Sequence, residues 1–131
     1  MRVFKTKGFA RFARFARGER ISDAYLCEAI RRAEHGLLDA DLGGGIIKQR
    51  VARPGQGRSG GYRVLIAYRP KTRSVFLFGF AKSARGNLDE DELATAQDIA
   101  KGWLGADGRA LALAVAEGLI QEMVYGEKEE D

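Results

Sequence analysis

Ile46-Ile47-Lys48-Gln49-Arg50-Val51-Ala52-Arg53, then Tyr62-Arg63-Val64-Leu65-Ile66-Ala67-Tyr68, then Ser74-Val75-Phe76-Leu77-Phe78-Gly79-Phe80 place three runs rich in β-branched and aromatic residues one after another. Side chains of this kind suit a pleated, half-buried surface, and the runs read as strands. Arg69-Pro70-Lys71-Thr72-Arg73 supplies a turn between the second and third. The stretch 54–61, Pro54-Gly55-Gln56-Gly57-Arg58-Ser59-Gly60-Gly61, reads as a loop between the first and second. Connections this short cannot accommodate crossovers, so the three strands are expected to form an antiparallel meander.

Working outward from the meander, Arg2-Val3-Phe4-Lys5-Thr6-Lys7 alternates in the manner of a short first strand. Phe9, Phe12, Ala13 and Ala16 recur at helical spacing while Arg11, Arg14 and Arg17 fall on other sides. The repeated Phe-Ala-Arg is therefore an amphipathic helix. Ser22 or Asp23 can cap a second helix through Ala24, Cys27, Ile30 and Arg31 that ends near Gly36. Downstream, 89–104 and 107–125 are predicted as helices with Leu93, Ile99, Leu111, Val115 and Leu119 facing inward. The expected fold class is α+β, an antiparallel sheet with two N-terminal helices packed on it and two further C-terminal helices. One domain over 1–131 is expected, with a core of about 1–88 and a helical extension of about 89–125.

The charge is distributed unevenly. Residues 42–88 hold ten Lys and Arg and no acid, whereas 89–131 hold three basic and twelve acidic residues, although the whole chain carries only +4. A basic segment of 47 residues without one carboxylate is what a polyanion-binding surface requires, and nucleic acid is the favoured partner. No apolar run approaches the roughly 18 residues of a membrane span, and the N-terminal segment shows no signal-peptide pattern, so a cytoplasmic protein without membrane association is expected. The single Cys27 forms no internal disulfide and reads as an apolar filler, and the lone His35 as a partner for a helix C-terminus.

The same segment narrows the chemistry. It has no paired carboxylates and no cluster of His, Cys or acids to hold a metal, so neither metal nor cofactor is expected. No Gly-x-Ser-x-Gly elbow presents a serine, and the glycine stretches lack the Gly-Lys-Ser/Thr ending of a nucleotide-binding loop. What remains is Lys and Arg acting on a phosphodiester whose ribose 2′-hydroxyl serves as nucleophile, so that the protein need only position the strand, stabilise charge and manage protons. Lys48 and Arg50, two apart on one strand, share a face, with Arg63 on the next strand and Lys82 and Arg85 after the last. Arginines bind phosphate but do not act as bases, which leaves Lys48, Lys82, Tyr62 and Tyr68 as the groups able to trade protons.

Asp39-Ala40-Asp41-Leu42-Gly43-Gly44-Gly45-Ile46-Ile47-Lys48-Gln49-Arg50, followed by Ser59-Gly60-Gly61-Tyr62-Arg63 and Phe78-Gly79-Phe80-Ala81-Lys82, resembles the signature of a HigB-like branch of the RelE/ParE toxin superfamily, and the likeness runs from Phe4 to about Leu93. The resemblance implies the toxin of a type II toxin–antitoxin pair, an endoribonuclease that cleaves messenger RNA on the ribosome until a cognate antitoxin binds it. It carries catalytic roles to Lys48, Arg50, Arg63 and Lys82, with Arg53, Arg58, Tyr62 and Arg85 as expected RNA contacts. The sequence departs from the better-known RelE pattern in having no tyrosine in Ser83-Ala84-Arg85-Gly86-Asn87-Leu88. Two other readings compete: a ParE-like inhibitor of DNA gyrase, whose relatives lack the basic set, and a non-catalytic RNA-binding module relying on Tyr62 and Tyr68. Because a polyanion must reach Lys48 and Arg63, the C-terminal helices are expected at the side or far edge of the sheet.

Overall fold

The chain runs β1 (Arg2–Thr6), α1 (Lys7–Phe15), α2 (Asp23–Glu34), β2 (Ala40–Gly43), β3 (Ile46–Arg53), β4 (Gly57–Arg69), β5 (Arg73–Ala81), α3 (Glu90–Gly105), α4 (Gly108–Ala116) and β6 (Ile120–Met123). This computed structural model describes residues 1–16, 20–53, 57–81 and 88–126, with the backbone alone for 57–60. The six strands form one sheet in the order β2-β3-β4-β5-β1-β6. Strands β3, β4 and β5 are the expected antiparallel meander, while β1 pairs parallel with β5, so the sheet is mixed.

Each helix begins on a side chain suited to its orphan N–H groups. Thr6 accepts from the Phe9 N–H at 3.1 Å, Ser22 from Tyr25 at 3.4 Å and Asp107 from Ala110 at 2.8 Å. Asp89 and Glu92 cap reciprocally at the start of α3, with bonds of 2.8 and 3.0 Å. The period-two pattern of the strands then divides the core in two. Ile47, Val51, Tyr62, Val64, Ile66 and Phe76 pack under α1 and α2. Ile46, Leu65, Ala67, Val75 and Leu77 pack under α3 and α4 on the opposite face. Each fully buried aliphatic on either face is worth about 1.5–3 kcal/mol of transfer free energy.

Four expectations are corrected. The loop predicted over 54–61 is strand from Gly57 onward, because Gly57 pairs with Arg53 after a bulge in β3. A short strand, β2, ends on the first of the three glycines and pairs with β3. The helix predicted over 107–125 stops at Ala116. Gly118 takes φ +77°, a conformation that suits a residue without Cβ, and the chain turns back so that Ile120 and Met123 pair with Thr6 and Val3. Val115 and Leu119, expected inward, are exposed in consequence, while Leu111 is buried as expected. Finally, α3 does not dock at the side: it lies across β3, β4 and β5 on the face that carries Lys48 and Arg63, covering the part built from Ile46, Leu65, Ala67 and Val75, whereas α4 packs by the far-edge strand β6 as the expectation allowed.

The three glycines explain how α3 comes so close. Gly43, Gly44 and Gly45 all have positive φ, and a Cβ on Gly44 would stand 2.8 Å from Gln97 Cγ of α3. The Gln97 Nε2 donates to the Leu42 carbonyl at 3.2 Å, tying the helix to the β2–β3 turn. At its other end Arg73 Nη1 donates to the carbonyls of Trp103, Leu104 and Ala106 at 2.8, 3.3 and 2.8 Å, taking up acceptors that the helix terminus leaves without partners.

Candidate active site

On β3 the alternation sends Ile47, Gln49 and Val51 toward α1 and α2, and Ile46, Lys48 and Arg50 to the other side. On β4 it sends Tyr62 and Val64 one way and Arg63 and Leu65 the other. The register then sets Arg50 beside Arg63 and Arg63 beside Phe80, one row across three strands, with Lys48 beside Leu65 in the next row. Three of the four residues expected to be catalytic, Lys48, Arg50 and Arg63, therefore stand together on one face.

Arg63 is the least ordinary of them. It is only 8% exposed, and its buried Nη1 has no hydrogen-bond partner among the described residues. Burial, then the neighbouring charge of Arg50, pushes its pKa down, with Asp39 acting weakly the other way. A guanidinium nonetheless stays charged in any ordinary range, so the strand holds a cation with an unused N–H donor in a partly dehydrated place. Leaving such a donor unpaired costs about 1–3 kcal/mol, a cost that an incoming anion would remove.

The Arg50 side chain is exposed, but its backbone is held firmly. Strand β2 pairs with β3 only as far as Ala40 opposite Lys48. Beyond that point side chains replace the missing strand: the Arg50 N–H donates to Asp39 Oδ2 at 2.6 Å, and the Arg50 carbonyl accepts from Arg32 Nη2. Arg32 also binds Asp39 at 3.3 Å and Glu28 at 2.8 Å. One residue earlier, the fully buried Gln49 carboxamide accepts from the Asp39 N–H at 2.8 Å and donates to the carbonyls of Ala29 at 3.0 Å and Leu37 at 3.2 Å. Gln49, Asp39 and Arg32 thus fix the strand from which Lys48 and Arg50 project. None of the three is among the sequence-predicted site residues, though a Gln between Ile47 and Val51 at an inward position already signals a buried polar group that must find partners.

Lys48 is half-buried and borders a 230 Å³ pocket together with Leu42, Leu65, Phe80, Leu88 and Leu93. Leu93, from the first turns of α3, brings the helix to the edge of the basic site.

Two tyrosines are corrected. Tyr62, expected to contact RNA and to be able to trade protons, is 1% exposed on the face covered by α1 and α2, edge-on to Phe12, and its hydroxyl donates to the Ala16 carbonyl at 3.4 Å. The reason is the period of two, since neighbours on one strand cannot share a face and Arg63 takes the other. Tyr68 lies on the same helix side, where burial pushes its pKa up. Arg53 is half-buried beyond the β3 bulge, opposite Gly57. The Arg58 side chain, Lys82 and Arg85 lie outside the described residues. His35 closes α2, with Nδ1 at 2.8 Å from the Arg31 carbonyl, and Cys27 is buried. Among the described residues no three His, Cys, Asp or Glu side chains gather as a metal site would require, and no helix is long and apolar enough to cross a membrane.

A basic row on a sheet face, backed by two helices and framed by two more, defines an α+β protein suited to binding a polyanion. The family model described as RelE toxin of the RelE / RelB toxin-antitoxin system matches residues 1–123, and the chain belongs to that family. No curated protein sequence matches it significantly.

Proposed function

We propose that this chain is the toxin of a type II toxin–antitoxin system, of the HigB-like kind, and a ribosome-dependent endoribonuclease that cleaves messenger RNA by attack of a ribose 2′-hydroxyl on the adjacent phosphate. The observation that carries the reading is the buried Arg63 guanidinium, whose Nη1 has no partner among the described residues, one strand from Arg50 and on the same face as Lys48. Arg63 and Arg50 bind the scissile phosphate and take up the charge that grows on its oxygens in the pentacoordinate transition state. Lys48 stands in the next row, where it can add charge or move a proton. Lys82 and Arg85 are proposed to complete the set, and Arg53 and Arg58 to hold the flanking strand. No resident cofactor or metal is invoked, because the substrate brings its own nucleophile and arginine brings the charge. A cytoplasmic setting and a cognate antitoxin as partner belong to the same proposal.

The test adds purified protein to a translating extract and maps new RNA ends. New ends that depend on translation, and that disappear with Lys48→Ala and Arg50→Ala but persist with Arg69→Ala at the distant end of β4, are the expected result. Growth arrest with intact messenger RNA and inhibited gyrase would overturn the reading, and equal losses in all three variants would indicate diffuse electrostatics in place of an active site.

A further inference from the structure

The pocket beside Lys48 does something that a phosphate-binding surface alone does not need. Its walls are Leu42 from β2, Leu65 from β4, Phe80 from β5, Leu88 ahead of α3 and Leu93 within it, and of these lining residues Lys48 alone is charged. Phe80 is also the neighbour of Arg63 in register, so the apolar pocket and the buried guanidinium share an edge. An engineered apolar cavity of about 150 Å³ holds a benzene ring. At 230 Å³ the present pocket suits a single larger flat ring.

We infer that this pocket receives one nucleobase of the RNA, stacked against Phe80 between the leucines, while the phosphate attached to that nucleotide meets Arg63 and Arg50. The inference rests on the ribonuclease reading and specifies its substrate contact. The choice of occupant follows from charge. An apolar slot fringed by Lys48, Arg50 and Arg63 is electrostatically matched to a flat ring carried on an anionic backbone, and mismatched to the apolar side chain of an acid-free peptide. Because the lining side chains other than Lys48 are leucines and a phenylalanine, the base is selected by shape and stacking more than by its hydrogen-bonding edge. Placing it there would anchor the strand one step from the reacting phosphate, converting general attraction for RNA into a fixed position for one bond.

The experiment uses the full chain and 2′-O-methyl RNA oligonucleotides, which offer no nucleophile and so report binding without cleavage. A terminal dye measures binding by anisotropy, and a single 2-aminopurine, moved along the oligonucleotide, reports stacking by loss of fluorescence. We expect quenching at one position only. An abasic site there should weaken binding about tenfold, the size associated with stacking of one base. An apolar isostere, a difluorophenyl nucleoside, at the same position should restore it. Binding with equal fluorescence at every position would overturn the inference, and so would an isostere that behaves like the abasic site, since the base would then be read by hydrogen bonds. No binding at low salt would overturn it as well. None of these results bears on RNA cleavage in the translating extract, which tests the ribonuclease reading independently.

Discussion

Replacing Arg63 by Met should separate activity from stability in opposite directions. The methionine keeps an unbranched stem of similar reach beside Leu65 and Phe80 but removes the charge, the buried Nη1 without a partner and the repulsion from Arg50. Relief of one unpaired buried donor is worth about 1–2 kcal/mol. For a chain of this size that corresponds to a rise in Tm of roughly 3–8 °C. On the proposed function, the same substitution removes the group that meets the transition-state charge and should lower cleavage by about 10²–10³-fold. Calorimetry on purified Arg63→Met, together with end mapping in a translating extract, measures both. A variant that melts lower than the parent would refute the claim that Arg63 is held against its own stability. A variant that melts higher and still cleaves would refute its catalytic role.

Three other perturbations test the frame around the site. Arg73→Ala, which the strand pattern alone would treat as a harmless turn substitution, should cost about 2 kcal/mol by chemical denaturation, because its Nη1 donates to three carbonyls at the end of α3; an unchanged midpoint would show those bonds to be idle. Gly44→Ala should cost about 2–3 kcal/mol, from a left-handed backbone and a Cβ 2.8 Å from Gln97 Cγ, and a Gly44→Ala protein with parental stability would mean that α3 is not latched at the β2–β3 turn. Glu122, in a paired bond with Arg2 at 2.8 and 2.9 Å, has its pKa pushed down by that hydrogen bond, so its stabilising effect is present above the ordinary glutamate range and lost as pH falls through the lowered folded value. Both partners are about half exposed, so Glu122→Gln should cost at most about 1 kcal/mol at neutral pH and nothing in strong acid, and a loss independent of pH would count against the linkage.

The meander is legible in the sequence because its signal is local. β-Branched runs and a Pro-containing turn determine which strands are neighbours, but the register of Arg50 with Arg63 does not follow from them, because β4 begins at Gly57 and the pairing shifts between Val51 and Arg53. The C-terminal part is legible only in outline. Helical spacing continues past Ala116 through Leu119, and nothing in a helical pattern announces that Gly118 will turn the chain so that Ile120 and Met123 find β1, more than a hundred residues away. The parallel pairing of β1 with β5 is equally non-local. The β2 strand is hidden because two aspartates precede the glycines; Asp41 caps its own turn by accepting from the Gly43 N–H at 2.9 Å.

For the candidate site the limit is of another kind. The period of two that groups Lys48 with Arg50 also separates Tyr62 from Arg63, and applied evenly along β4 it excludes Tyr62 from the RNA-facing set on strand geometry alone. The position of α3 does not follow in this way. A requirement for access to Lys48 and Arg63 argues for an empty face, but apolar surface at Ile46, Leu65, Ala67 and Val75 on that same face demands a cover, and the stronger demand prevails. The compromise between the two is visible in the packing. The helix covers the aliphatic rows, is latched by Gln97 over the three glycines, and brings Leu93 to a pocket bordered by Lys48. A glycine run that reads as a feature of the strand is therefore a feature of its partner helix, and through that helix it shapes the apolar side of the candidate site.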